Sequence, residues 1–248
     1  MIALLRSEAL KQRSTPTLWA LLAGMLALVL LAVLLHVFGL PADRLADRDA
    51  QLMVLGRGEF LGVMFAALVG ALSVTSEIRY GTIRPTFLFT PRRSRVVAAK
   101  VWVSVGVGLA FGLVAGAAAV AAGTLALRSR DIASALDGSD LTLLVVGAAV
   151  GAALWGAIGV GLGALFRNQV PTLIAITAWL LFVEGLLVGD VGSLGQIGRF
   201  LPGSAAAALS GQEPGTFLSP AIGLVVLVVY SVSVAAAGAF TIARRDVG

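Results

Sequence analysis

The stretch "TLWALLAGMLALVLLAVLLHVF", from Thr17 to Phe38, decides the fold class of this chain. It contains no Asp, Glu, Lys or Arg. At a rise of about 1.5 Å per residue, a helix of this length crosses a hydrocarbon core of about 30 Å. It is too long for the apolar region of a secretory signal peptide, and no convincing small-residue cleavage site follows it. The stretch predicts a membrane-spanning helix with Thr15 as N-cap and Pro16 at its first position.

Five further apolar stretches have the same character. The chain has 248 residues, of which 58% are hydrophobic and 12% charged, with a mean hydropathy of +0.98. A soluble domain of this size needs more polar surface than that composition provides. The sequence therefore predicts an all-α polytopic membrane protein, a single domain over residues 1–248, with six transmembrane helices. After the first, these are expected at about 59–75, 101–127, 141–166, 171–189 and 219–242.

The distribution of basic residues predicts the orientation. An even number of spans places both termini on one side of the membrane, and 12 of the 18 Lys and Arg residues flank the spans on that side. Lys and Arg accumulate in cytoplasmic segments, so both termini are predicted to be cytoplasmic. Topology also explains the high pI of 10.7. Because the charges are not gathered on one soluble face, no nucleic-acid partner is expected.

Three segments outside the spans have features of their own. Residues 1–15 place Ile2, Leu5 and Ala9 on one side of a helix, which predicts an amphipathic helix on the cytoplasmic membrane surface. Residues 76–95 form a basic cytoplasmic segment. Residues 190–218 are too apolar for a free loop and too interrupted for a span, so we expect a partly re-entrant outer cap containing a short helix at "SAAAAL".

Glycines recur at every fourth residue within the predicted spans. Small residues at this interval let helix backbones approach closely, which matters in lipid because apolar burial provides no net driving force there. The spacing predicts close helix packing. The glycines concerned are Gly108, Gly112, Gly116, Gly147, Gly151, Gly159, Gly163, Gly185 and Gly189.

The basic segment is longer than a connection between two spans requires. Gly81 and Pro85 exclude one long helix but leave room for a short turn carrying Phe87, Leu88 and Phe89. Thr90 followed by Pro91 predicts the start of the helix that continues into the third span. From the residues alone, two roles stay open: docking on a partner protein, or anchoring to anionic membrane lipid.

A family resemblance favours docking. "SEIRYGTIRPTFLFTPRRSRVVAAKV", from residue 76 to 101, resembles the cytoplasmic segment of permease subunits of the type-2 ABC-transporter family. Two later blocks, Gly156–Leu187 and Leu201–Leu209, resemble the second half of small actinobacterial-type permeases of this group. One departure is Gly185, where a Pro is expected, and it implies a less kinked fifth span. The residues that match the first block are Glu77, Gly81, Thr82, Pro91, Arg92, Arg95 and Lys100.

The resemblance implies a role and its partners. The chain would be the permease subunit of an ABC exporter in the bacterial plasma membrane. It would be paired with a second permease half and powered by a separate P-loop ATPase that holds ATP and Mg. Its cargo would be an amphipathic compound such as an antibiotic, a lipid-like molecule or a modified peptide. The segment between spans two and three would be a coupling helix, whose docking residues would be Glu77, Arg79, Tyr80, Gly81, Thr82, Arg84, Pro91 and Arg92.

The chain itself lacks the means for ATP hydrolysis. It contains no G-x-x-x-x-G-K-[ST] sequence, and its Gly-rich runs lie within spans rather than after a strand. With one His and no Cys, no metal site, resident cofactor or enzymatic activity is expected. The alternative function is an ion-coupled secondary transporter or a channel subunit. That class usually carries more acidic residues or broken helices at the membrane midplane.

Two acidic residues within spans are candidates for a pathway or outer gate. Ionisable groups are costly in a membrane, so each one requires an explanation. For Glu59 the simplest expectation is an interfacial ion pair with Arg57. For Glu184 there are two: an acid near the exit that attracts a cationic amphipathic substrate, or a structural acid that pairs with the outer cap and with Arg199. His36, near the outer end of span one, is expected to be a capped or interface-facing imidazole.

Overall fold

The computed structural model describes residues 1–90, 92–188, 197–212 and 218–244, and every regular element in these ranges is a helix. Six helices, or runs of consecutive helices, are long and apolar enough to cross a membrane. The helices are α1 (Ile2–Ser14), α2 (Pro16–Gly39), α3 (Ala42–Leu45), α4 (Arg48–Leu55), α5 (Arg57–Arg79), α6 (Ile83–Phe89), α7 (Arg93–Ser129), α8 (Gly138–Phe166), α9 (Gln169–Ala178), α10 (Glu184–Val188), α11 (Pro202–Leu209) and α12 (Pro220–Arg244).

The six helices or helix runs that are long and apolar enough to cross a membrane lie at the six predicted positions. They correspond to α2, to α4 with α5, to α7, to α8, to α9 through α10, and to α12. Several helices extend beyond the predicted limits, because apolar content marks the membrane-spanning part and not the full helix. The helix of the third span, α7, begins at Arg93, with Arg92 as its N-cap. This is two residues later than the Thr90–Pro91 pattern predicts. Thr90 instead ends α6, and Pro91 lies outside the described residues.

α8 forms the centre of the bundle. It packs against α5, α7 and α12. Of the 18-residue apolar stretch that could cross the membrane, 72% is buried in α8, compared with 17% in α2. Glycine makes this packing possible. A Cβ at Gly108 or Gly112 of α7 would collide with the backbone of α8, and one at Gly159 would collide with the backbone of α5. The close packing predicted from glycine spacing is therefore confirmed at most of the described positions. A Cβ at Gly151 would make only ordinary contacts with side chains, at 3.4 Å or more, and one at Gly185 would have nothing within 4 Å. Gly189 lies outside the described residues.

The fifth span has an irregularity that the sequence analysis does not anticipate. Residues Trp179–Val183 form a π-helical segment between α9 and α10. Such segments insert an extra residue into a helical turn and are frequent at functional sites. The segment ends immediately before Glu184, so the backbone of this span is irregular even though Gly185 stands where a kinking Pro was expected.

The expected short helix after the fifth span is present. α11 covers "PGSAAAAL", with Pro202 at its first position and five further residues buried against the bundle. Its C-terminal end reaches α8, where a Cβ on Gly147 would collide with the carbonyl of Leu209. The indole N–H of Trp155 on α8 donates to the carbonyl of Pro202 at 3.2 Å. Of the predicted cap, residues 190–196 and 213–217 lie outside the described residues.

Candidate functional site

A buried ion cluster joins three helices at the end of the bundle where the chain begins. We call this the basal end; it carries Glu8 of α1, Glu77 of α5 and Lys100 of α7. The Nζ of Lys100 lies 2.6 Å from Oε2 of Glu8 and 2.8 Å from Oε1 of Glu77. It also donates to the carbonyl of Ser73 at 2.9 Å. These three partners use all three donors of the ammonium group.

Lys11 completes the ion cluster from the solvent side. Its Nζ lies 2.7 Å from Oε1 of Glu8 and 3.0 Å from Oε1 of Glu77, and it donates to Oγ1 of Thr86 at 3.5 Å. Partial burial lowers the pKa of Lys11, but the hydrogen bonds and charges of Glu8 and Glu77 outweigh it, so the pKa lies above its ordinary value. Lys11 therefore stays protonated, and it links α1 and α5 to the short helix α6.

The ion cluster is balanced in charge and, apart from Lys11, buried. Glu8 and Lys100 are each 2% exposed, and two carboxylates face two ammonium groups. Burying ions is unfavourable unless their geometry is good and their hydrogen bonds are satisfied, and removing one partner leaves an uncompensated charge. The four groups therefore hold α1, α5 and α7 in one fixed arrangement.

The ion cluster corrects one expectation and adds to another. Glu77 was expected to dock a partner, but it is 9% exposed and bound to two lysines, so it lies beneath the surface and not on it. α1 was expected to contact the membrane through Ile2, Leu5 and Ala9, and Ile2 and Ala9 are exposed, so this contact stays a prediction. The one buried residue of α1 is the carboxylate Glu8, which fixes the helix by charge to the bundle.

Sequence reasoning missed this site because its members are distant in the chain. Glu8 and Lys100 are separated by 92 residues. One signal was available: Glu8 is the only acid in a basic N-terminal segment, and Lys100 stands at the start of an otherwise uncharged span. Their opposite charges at the same predicted depth would have suggested a pair.

Beside the ion cluster, the chain exposes a continuous segment between α5 and α6. Arg79, Tyr80, Gly81 and Thr82 are all exposed, and Gly81 adopts a φ of 70°, a left-handed conformation that glycine accepts readily. The Arg79 guanidinium lies 5.8 Å from the ring centroid of Tyr80.

α6 and the start of α7 continue this surface. Pro85 lies in the first turn of α6, where a missing N–H is tolerated, so it does not prevent the predicted short helix. Leu88 is 81% exposed on α6, and Arg92 is exposed at the start of α7. The side chain of Arg84 and the whole of Pro91 lie outside the described residues. We call the exposed residues Arg79, Tyr80, Gly81, Thr82, Leu88 and Arg92 the basal surface.

Glu184 binds the start of a buried helix. Its Oε1 accepts hydrogen bonds from the backbone N–H groups of Gly203 at 2.7 Å and Ser204 at 2.8 Å. These are unpaired donors of the first turn of α11, and a carboxylate there also interacts favourably with the helix dipole. The expected pairing with the cap region is confirmed, but the expected partner is wrong. Arg199 instead lies over the ring of Phe200, 5.2 Å from its centroid.

Glu59 does not pair with Arg57 as expected. Glu59 is 4% exposed, and its Oε2 accepts from Nε2 of Gln212 at 3.1 Å. Arg57 reaches His36, whose Nδ1 lies 2.7 Å from the carbonyl of Ala32. Residues two apart on a helix point in different directions, which separates Arg57 from Glu59 on α5.

Within the described ranges, no group of three or more His, Cys, Asp or Glu side chains could hold a metal ion. The ionisable residues buried in the bundle bind one another, backbone groups or a glutamine.

No protein-family model matches this chain, and no curated protein matches it with significance.

Proposed function

We propose that this multi-pass chain is the permease subunit of an ATP-driven ABC exporter, working with a separate P-loop ATPase and a second permease half. The observation that carries the proposal is the direct connection between the basal surface and the ion cluster. α6 is joined to Lys11 through Thr86, and α5 enters the ion cluster at Glu77, three residues before Tyr80. A displacement of α6 or of the end of α5 is therefore opposed by charged contacts to α1 and α7.

That connection fits a coupling element between a soluble motor and the membrane helices. Conformational switching requires rigid elements that a partner can bias between two arrangements. A segment that only anchored the chain to lipid would need basic residues, but it would not need buried contacts with three helices. Docking would use the basal surface, with Glu77 acting inside as a connector. The proposal also includes three finer expectations. Both termini are cytoplasmic, α6 is the coupling helix, and Glu59 and Glu184 belong to a pathway or outer gate.

A site-specific photo-crosslink tests the proposal. A photoreactive amino acid in place of Tyr80, in the native host, should capture a protein with a P-loop ATPase sequence. The same amino acid in place of Ser139, near the start of α8 at the opposite end of the bundle, is the matched control and should not capture it. Crosslinking of Tyr80 to lipid alone would contradict docking and favour the lipid-anchor role. Crosslinking of both positions to the same protein would contradict the assigned surface.

A further inference from the structure

A cavity of about 600 Å³ lies against the ion cluster at the basal end. Its size is within the range of small-molecule sites in proteins. The inner wall carries Glu8, Glu77 and Lys100, and the rim carries exposed residues of the α1–α2 junction and of the segment after α5. The cavity is therefore reachable from outside the bundle and closed at its base by charge.

The wall of the cavity has an apolar part and a polar part. The apolar part includes Leu18 and Leu21 of α2 and Val69 and Leu72 of α5. The rest of the lining carries mainly hydroxyl, amide and charged groups. Such a lining suits an amphipathic ligand whose apolar body lies between α2 and α5 and whose polar head points at the ion cluster.

The hydrogen bonds of the lining select the kind of head group. The ammonium groups of Lys11 and Lys100 each have three partners, so neither has a donor left for a ligand. Six hydroxyl groups of the lining donate to backbone carbonyls and so present oxygen lone pairs: Ser14, Thr15, Ser73, Ser76, Thr82 and Thr86.

Two buried acceptors of the lining are unused. Oε2 of Glu77 and Oε1 of Gln12 have no hydrogen-bond partner. An unsatisfied buried acceptor is unfavourable, and more so when it belongs to a charged group. Both atoms are closed to solvent in this structure, so a rotation of each side chain has to turn them toward the cavity. A ligand that brings N–H donors would then satisfy both atoms, whereas an anionic head would meet a carboxylate and no free ammonium donor.

We propose that this cavity binds an amphipath with a primary or secondary ammonium head. The head donates to Glu77 Oε2 and Gln12 Oε1, a primary ammonium donates its third N–H to a lining hydroxyl oxygen, and the apolar body lies between α2 and α5. As a cargo site this assignment rests on the proposed function, but binding itself requires neither an ATPase nor transport.

The test uses the full chain in phosphatidylcholine nanodiscs, because that lipid has a quaternary ammonium without N–H donors. The probe is a 12-carbon primary amine with a photoreactive diazirine in its chain; its control is the carboxylate with the same chain and diazirine. The amine should crosslink to peptides containing Leu18, Leu21, Val69 or Leu72, and the carboxylate should not. Equal labelling by both probes, or amine labelling spread over the lipid-facing residues of all spans, would overturn the proposal.

Two variants locate the head group. Gln12→Met and Ser76→Ala each remove an acceptor, and each should weaken the amine by about tenfold, as expected for a hydrogen bond to a charged donor. Ser76→Ala keeps the test open if Gln12→Met does not fold. Thr124→Ala, whose hydroxyl binds only its own helix, is the matched control and should leave binding unchanged. Unchanged affinity in a folded acceptor variant contradicts the proposed head-group site.

Replacing half of the lipid by phosphatidylethanolamine separates two sources of the ligand. Displacement of the probe identifies the lipid's own amine as an occupant. Retention of the probe identifies a free amphipath with an ammonium head. Either result is compatible with a site selective for N–H donors, while displacement by an added fatty acid would contradict it.

Discussion

At the scale of single residues, Lys100 is the buried ammonium group that joins α1, α5 and α7. Replacing it by Met leaves Glu8 and Glu77 as two buried carboxylates with only Lys11 between them. Breaking a buried ion pair from one side costs about 3–5 kcal/mol. We expect Lys100→Met to lower the free energy of unfolding by that order, measured by denaturant titration in detergent.

A double variant separates charge from packing at this position. Lys100→Met with Glu8→Gln removes one charge of each sign, so the remaining Lys11 and Glu77 balance each other. We expect it to be more stable than Lys100→Met alone, with a favourable coupling between the two changes. A Lys100→Met protein as stable as the unchanged chain would show that the ion cluster does not hold the helices together.

Glu184 provides a second prediction at this scale. Glu184→Gln keeps an oxygen that can accept from the amides of Gly203 and Ser204, whereas Glu184→Ala removes it. We expect the Ala variant to lose about 2 kcal/mol, a typical contribution of hydrogen bonds to a charged group. Hydrogen exchange at the two amides should be faster in the Ala variant than in the Gln variant. Equal exchange in both would contradict the assignment of Glu184 as the hydrogen-bond acceptor for the first turn of α11.

These residues also mark the limit of the sequence analysis. Burial of Glu184 against the cap region was predictable, because a carboxylate in a span requires a partner. Its actual partners are backbone N–H groups of α11, which no residue type reveals. In the same way, the ion cluster joins Glu8 to a lysine 92 positions away, and only the packing of α1 against α7 brings the two together.

At the scale of helices, contact between α7 and α8 depends on glycine. A Cβ at Gly112 would collide with backbone atoms of Ala148 and Ala149, while one at Gly106 on the same helix would have nothing within 4 Å. We expect Gly112→Ala to destabilise the protein by about 1–3 kcal/mol through overpacking. Gly106→Ala is the matched control and should be neutral or slightly stabilising through helix propensity. Thermal unfolding in detergent measures both, and equal midpoints would contradict the close approach.

Helix positions were more predictable than helix contacts. Span lengths follow from hydropathy, and glycine spacing correctly indicated close approach in α7 and α8. The π-helical segment at Trp179–Val183 has no composition signal, because its residues are as apolar as their neighbours. The start of α7 moved to Arg93 because α6 uses Thr90 as its own end.

At the scale of the whole molecule, orientation is the first property to test. The chain has no cysteine, so single cysteines can be introduced without removing others. We expect a membrane-impermeant maleimide added to intact cells to label Ser139→Cys but not Ser94→Cys. The two serines are exposed at opposite ends of the bundle. Both should react after permeabilisation, and the reverse labelling pattern would contradict cytoplasmic termini.

The central claim is that the basal surface connects the membrane helices to an ATPase on another chain. The most direct measurement is purification of the chain from its native membrane in mild detergent, with mass spectrometry of everything that accompanies it. The account predicts a P-loop ATPase in stoichiometric amount, lost from a Tyr80→Ala, Arg79→Ala variant and retained by the exposed control Arg128→Ala. A complex without any ATPase, under conditions that preserve such assemblies, would contradict the claim and favour an ion-coupled transporter or a channel.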